Sequence, residues 1–257
     1  MNGSLPSAAM LLAAGKGSRL GDITERTPKC MIPIAGRPLL QHTVECLRRY
    51  GVTDLTINLH HLGEVIERHF GDGSAFGVRI TYSREPELLG TAGALAKAKG
   101  HFQRKPFFVW YGDNLSHCEL DRMWELHCRQ GGVGTVALHQ RDDVLQCGIV
   151  SIDDSDRITR FVEKPAPDQV FSNWVSAGIM LFEPNILRFI RPGFSDFGRD
   201  VFPAVLNSGL RLNGYQLSQA EGLWWIDRVE DLNRLETISK SGLFDANGFQ
   251  TFLGIDE

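Results

Sequence analysis

No C-x-x-C pair occurs in this chain of 257 residues, and its five cysteines (Cys30, Cys46, Cys118, Cys128 and Cys147) are an odd number. They read as reduced thiols of a cytoplasmic protein, mostly filling core space. No stretch approaches the roughly 20 apolar residues needed to span a bilayer, so no membrane partner is expected. The opening MNGSLPSAAMLLAAG lacks a basic n-region, and its apolar run stops at a glycine loop. It reads as a first strand rather than a signal peptide. Positive charge is not in excess. The net charge of −4 argues against nucleic acid as the main partner. One small phosphorylated ligand stays compatible with it, because a few clustered cations suffice to bind phosphate. The histidines, His42, His60, His61 and His69 among them, fall at no metal-ligand spacing. Low-complexity linkers, internal repeats, hexapeptide repeats and long like-charge runs are missing as well.

What remains is ordinary globular material, 42% apolar and 23% charged. A chain of this length buries about three-quarters of its unfolded surface, so a full core needs no staples. The first half alternates strand and helix patterns. Strands are expected at 8–13, 55–59, 78–83, 106–111 and 133–139, and helices at 38–50, 62–70, 91–99 and 120–130. That alternation implies parallel pairing with helical crossovers. In the second half, strands at 148–152, 158–163 and 176–182 are joined by turns. They are expected to form a mixed sheet region covering one end of the first half. Short helices are expected at 186–190 and 201–207, a strand at 223–226 and a helix at 230–239. The Gly-rich tail from Gly242 reads as loop.

The chemistry concentrates in LLAAGKGSRL, residues 11–20, and in Thr-Pro-Lys at 27–29. A glycine-rich turn after the first strand of a parallel sheet puts backbone N–H groups at the sheet's carboxyl edge, where open α/β sheets bind ligands. Gly15 and Gly17 allow backbone conformations that turn those donors toward a phosphate or a base edge. Ser18 adds a hydroxyl, and Lys16, Arg19 and Lys29 add charge. The plainer alternative is a βα turn with solvated cations. A dinucleotide fingerprint fails, because Leu20 stands where G-x-G-x-x-G needs its third glycine, and no Walker sequence is present.

Several segments together resemble one family. AAGKGSRL, TPK and IPIAGRPLLQHTVECL are similar to the N-terminal signature of the sugar-1-phosphate nucleotidyltransferases. Further on, ELLGTAGAL (87–95), YGDN (111–114), CGIV (147–150), FVEKP (161–165), VSAGIMLF (175–182) and WWID (224–227) resemble that family's later motifs, in the same order. Each is weak alone; the ordered series from Ala13 to Asp227 is specific. The resemblance implies an α/β, Rossmann-like three-layer αβα fold with a mostly parallel mixed sheet. It implies one domain over 1–241, with a nucleotide-binding part (1–140) and a sugar-phosphate-binding part (141–241), followed by a tail at 242–257. The expected reaction joins an NTP and a sugar 1-phosphate into an NDP-sugar and pyrophosphate, with Mg²⁺ as cofactor and small molecules as partners. A homodimer is only the commonest default.

The resemblance also distributes roles. Arg19 lies along the triphosphate, and Lys29 bridges the α-phosphate and the sugar phosphate. Asp113, ending the apolar PFFVWYGD, and Asp227, ending LWWID, are the implied Mg²⁺ ligands. At Asp227 the chain departs from pattern: it reads WIDRVEDL, two residues shorter than usual and without Gly-Thr-Pro. The nucleotide is expected on Leu12, Ala13, Ala14, Gly15, Lys16, Gly17, Ser18 and Arg19, with Glu85, Gly90 and Thr91. The sugar phosphate is expected on Lys29, Gly148, Glu163, Lys164, Asn173 and Ser176, with Trp225 as a further lining candidate. Glu85 stands where pyrimidine-using relatives have Gln. A carboxylate only accepts, which suits the paired N1–H and 2-amino donors of guanine and not uracil's single donor between two carbonyls. GTP with a manno-configured hexose or heptose 1-phosphate is therefore favoured, as in the mannose- or heptose-1-phosphate guanylyltransferase-like members. UTP, dTTP or CTP with another acceptor, such as glucose 1-phosphate or phosphocholine, remains the alternative. A silent nucleotide-sugar-sensing subunit is another, suggested by the short turn after Asp227.

Overall fold

The structure is a computed structural model describing residues 4–218, 221–226, 228–238, 244–245 and 248–249. Nine strands form one sheet: β1 (Ala8–Leu12), β2 (Asp54–Leu59), β3 (Arg79–Arg84), β4 (Phe107–Tyr111), β5 (Gly134–Gln140), β6 (Gly148–Ile152), β7 (Ile158–Glu163), β8 (Trp174–Phe182) and β9 (Leu212–Gln216). The first four lie parallel in the spatial order β3-β2-β1-β4. The chain builds outward from β1 to β3, then returns to the far side of β1 with β4. Strand order thus reverses between β1 and β4, and a crevice opens there at the carboxyl ends of the strands.

The apolar runs in β1 and β4 are continuous because both faces of the sheet are covered. Ala9 and Leu11 of β1, with Phe108 and Trp110 of β4, join one core cluster. Met10, Phe107 and Val109 join the other. Helices α1 (Leu39–Arg49), α2 (Gly63–Phe70) and α4 (Leu120–Gln130) cover the first face through Val44, Leu47, Phe70 and Met123. Helices α3 (Gly90–Lys97) and α5 (Phe202–Asn207) cover the second through Leu95, Phe202 and Val205. The result is a three-layer, Rossmann-like α/β fold. Each fully buried Leu or Phe stabilises it by about 1.5–3 kcal/mol relative to exposure.

The second half does not form a separate covering sheet. β8 pairs antiparallel with β4 along Ile179–Phe182, and on its other edge with β5, so the first sheet simply continues. β8 begins two residues earlier than its sequence pattern indicates, and its register breaks between Ser176 and Met180, where Gly178 adopts φ 71°. β9 was not expected from sequence. It contains Asn213 and Gly214 and exists because it pairs parallel to β5. Asn114–His117 is likewise a strand, paired with Gly222–Trp225. The short helix expected at 186–190 is a 3-10 helix over Pro184–Phe189. Phe244–Asp245 pairs with Gly248–Phe249 in a segment expected to be loop. A further helix, Val229–Ile238, follows the Gly222–Trp225 strand. Among the described residues no helix is long and apolar enough to cross a membrane. The cysteines are free thiols, with Cys30, Cys46 and Cys118 buried.

Candidate active site

The crevice between β1 and β4 is narrow at its floor. The Gly112 amide donates to the Leu12 carbonyl at 2.9 Å, joining the two strand ends just below the opening. Above it lies a hollow of about 290 Å³. Its floor is Leu12, Ala13, Ala14, Gly15 and Gly17, and Lys29, Glu85, Gly90, Thr91 and Asp113 stand around it. Of the two loop glycines, Gly17 has the demanding geometry. Its φ is 63°, and a Cβ there would lie 2.8 Å from Lys29 Cβ. Gly17 therefore lets the loop close against Lys29. Gly15 needs no left-handed backbone, and the space a side chain would take there is open.

Lys29 follows Pro28 in a short 3-10 turn and is only 6% exposed. Its Nζ donates to Asp113 Oδ2 at 2.8 Å, while the Asp113 side chain is 40% exposed. A cation shielded from bulk water, with a partly open carboxylate beside it, thus faces the opening.

Asp113 also borders a second hollow of about 260 Å³. Arg19, Gly148, Glu163, Lys164, Ser176 and Trp225 line this one. Thr91, Tyr111 and Asp113 belong to both hollows, so the two are adjacent compartments of one cleft. Lys164 adopts φ 51°, an uncommon backbone for a lysine, and its amide donates to the Cys147 carbonyl at 2.9 Å. This link ties the end of β7 to the turn before Gly148. Gly148 is required by contact: a Cβ would lie 2.4 Å from the Phe161 ring and 2.7 Å from Glu163 Oε2.

The structure brings most of the expected residues to this cleft. Lys16, Ser18 and Asn173 line neither hollow. Asp227 lies outside the described residues. Arg19 sits on the second compartment, whereas the sequence grouped it with the nucleotide loop. Glu85 is not a solvated loop acid. It is 4% exposed; its Oε1 accepts from Asn58 Nδ2 at 2.8 Å and its Oε2 from the Leu89 amide at 3.1 Å. Asn58 in turn accepts from the Ala13 amide at 2.8 Å, which couples Glu85 to the glycine loop.

Sequence reasoning missed Asn58, Phe194 and Asp196. Asp196 caps the turn at Phe197–Val201 through the Gly198 and Arg199 amides, and accepts from Thr91 Oγ1 at 2.9 Å. The loop before it sits on the start of α3. Ser195 donates its amide to the Leu89 carbonyl at 2.9 Å, and its carbonyl accepts from the Ala92 and Gly93 amides at 3.0 Å. The glycines of LGTAGA are the seat of this loop. A Cβ on Gly90 would lie 2.5 Å from Ser195 O, and one on Gly93 2.3 Å from Gly193 O.

A family described as nucleotidyl transferase matches residues 8–228. The chain belongs to the nucleotidyl transferase family. A UTP–glucose-1-phosphate uridylyltransferase of Synechocystis is 38% identical over 216 residues, which are 79% of this chain and 56% of that protein. A mannose-1-phosphate guanylyltransferase of Mycobacterium tuberculosis is 34% identical, over 85% of this chain and 60% of that protein. The chain thus spans little more than half the length of these relatives. A Bacillus anthracis chain, assigned as a glucose-1-phosphate thymidylyltransferase and solved with sucrose, superposes with a TM-score of 0.82 at 25% identity, covering 93% of this chain and 98% of that one.

Among the described residues no three His, Cys, Asp or Glu side chains converge as a ready-made metal site. Mg²⁺ rarely needs one, since it commonly binds through one or two carboxylates plus substrate phosphates and water. The partly open Asp113 fits that mode. Cys30 borders the first hollow, but burial pushes its thiol up to about 12, with Asp113 adding to the effect, so it stays protonated.

The chain carries the Glu163 carboxylate of the second compartment at a cost. Burial, and then the nearby Asp196, raise the Glu163 carboxyl above the ordinary carboxylate range. The folded form therefore binds the proton more tightly than the unfolded chain. The contribution of Glu163 to stability is largest below the unfolded carboxyl's ordinary value and declines as pH rises toward and through the raised one. Glu163→Gln, which cannot ionise, should melt higher than the parent at pH 7. The gain should shrink to nothing near pH 4, below the unfolded carboxyl's ordinary value of about 4.3. Melting curves from pH 4 to 8 check this; a constant or reversed difference contradicts it.

Proposed function

We propose that this chain transfers a nucleotidyl group from an NTP to a sugar 1-phosphate and releases pyrophosphate. One observation carries the reading: the Lys29–Asp113 pair stands where the two compartments meet. The NTP occupies the first compartment and the sugar 1-phosphate the second. A phosphate oxygen of the sugar attacks the α-phosphorus, the bond to the β-phosphate breaks, and pyrophosphate leaves with the bonding pair. Two anions must meet, so catalysis rests on positioning and on charge placed where it builds up. Lys29 reaches the α-phosphate and the incoming phosphate. Arg19, on the second compartment, adds positive charge beside the incoming sugar phosphate rather than along the triphosphate. Asp113 would hold Mg²⁺, which supplies positive charge to the phosphates when bound. Glu163 and Ser176 accept and donate toward sugar hydroxyls, and Lys164 faces the sugar phosphate.

GTP is the favoured nucleotide, with a manno-configured hexose or heptose 1-phosphate as acceptor. Each Glu85 oxygen already takes one protein hydrogen bond and keeps capacity for a second. Guanine's adjacent N1–H and 2-amino group match that pair. The relative in Mycobacterium tuberculosis named for guanylyl transfer agrees with this choice. The uridylyltransferase relative in Synechocystis supports the second reading, UTP with glucose 1-phosphate. A matrix of GTP, UTP, dTTP, CTP and ATP against several sugar 1-phosphates, followed by pyrophosphate release, separates them. Glu85→Gln should lower kcat/KM for GTP by about tenfold and raise it for UTP, because an amide offers uracil both donor and acceptor. Unchanged base preference in Glu85→Gln, or a parent enzyme that prefers UTP, refutes the guanine assignment.

A further inference from the structure

Phe194 is the most exposed large apolar side chain among the described residues, at 67%. It is nevertheless not loosely placed. The next residue, Ser195, is held to α3 by its amide and its carbonyl, and a Cβ on Gly90 would lie 3.2 Å from Phe194 Cε2. The ring therefore stands over Gly90 on a fixed backbone, at the rim of the first compartment and outside the second. Leu88, also part exposed, lies on the same rim. The same hollow is lined by Ala13, Ala14 and Gly15 and by the polar residues Asn58 and Glu85. A flat occupant with apolar faces and a hydrogen-bonding edge suits such a slot; a phosphate does not.

We propose that Phe194 is the aromatic wall of the base pocket. Its ring covers one face of the nucleobase, the glycine loop supports the other, and Glu85 reads the edge. The proposal rests on the nucleotidyl-transfer reading and adds a recognition residue to it. Stacking is tolerant of base identity because every base has an aromatic face. Phe194 thus contributes affinity for any nucleotide, while discrimination stays with Glu85. Aromatic side chains do the stacking, so tryptophan at this position preserves the wall and alanine removes it.

The experiment is equilibrium binding of GTP, with inorganic tripolyphosphate as a probe that carries the charges and no base. Phe194→Ala should bind GTP roughly tenfold more weakly, within the range of base–aromatic stacking. Its tripolyphosphate affinity should match the parent's. Phe194→Trp should restore GTP binding. At saturating GTP the kcat of Phe194→Ala should equal the parent's, with the loss confined to KM for the nucleotide. Melting temperature should stay unchanged, because the ring is largely exposed. Parent-like GTP binding in Phe194→Ala overturns the proposal and leaves nucleotidyl transfer standing. Equal weakening of GTP and tripolyphosphate also overturns it, by placing the effect in the phosphate loop. So does a change of sedimenting mass with GTP binding intact, which would make the ring a self-association contact. A parent chain that binds no NTP overturns both this assignment and the function on which it rests.

Discussion

Asp113→Asn is expected to lower kcat by about a thousandfold, the loss typical of removing one preorganised charge or ligand from a transition state. The substitution keeps shape and volume. Its amide oxygen can still accept from Lys29, so the 2.8 Å contact has a replacement. What disappears is the negative charge that pairs with a buried ammonium and is proposed to hold a divalent ion. Lys29→Met should cost a similar factor, since it removes the cation proposed to lie between two phosphate groups. The double variant should fall little below either single one, because residues acting as a unit lose their effect once. Steady-state pyrophosphate release measures all three. Retention of kcat within tenfold of the parent in either single variant, or fully multiplicative losses in the double, would remove this pair from the centre of the reaction.

Gly93→Ala is expected to damage stability and both halves of the cleft together. The added methyl would lie 2.3 Å from Gly193 O and 3.2 Å from the Ser195 nitrogen. Both neighbours are backbone, so no side chain can swing aside. Relief requires moving a loop whose place is set by three hydrogen bonds to the start of α3. Overpacking of this kind costs about 1–3 kcal/mol. The loop carries Phe194 toward the first compartment and Asp196 toward the second, so KM should rise for both substrates. Gly100→Ala is the control, because nothing lies within 4 Å of the new Cβ. Urea unfolding and initial-rate kinetics compare the two. A Gly93 variant as stable and active as the Gly100 variant would show that the seat is not needed.

Much of the frame was readable in the residues. FFVWY, bounded by Pro106 and Gly112, specifies a strand covered on both sides, and the structure puts its alternate residues into two cores. LDRMWELHCRQ carries its apolar residues at helical spacing and forms a helix over the expected range. β9 escaped notice because LNGYQ has neither strong alternation nor β-branched residues; its pairing with β5 supplies what local preference lacks. The site divides the same way. Asp113 stands out because charge at the end of an apolar run needs an explanation, and Lys29 and Glu163 stand out through the TPK and FVEKP segments they occupy. Asn58 and Asp196 do not, because their significance lies in partners 27 and 105 residues away. LGTAGA shows the limit most clearly. Its letters suggested ligand contact, yet Gly90 and Gly93 are small chiefly so that another segment of the same chain can rest on them.

Only Thr91, Tyr111 and Asp113 are common to the two compartments. The other lining residues belong to one compartment or to the other. Such a partition lets a lineage trade one reactant for a different one without rewriting the recognition of its companion. On the proposed function, diversity of activated sugars can then arise by changing one half at a time, the two being joined through three shared residues.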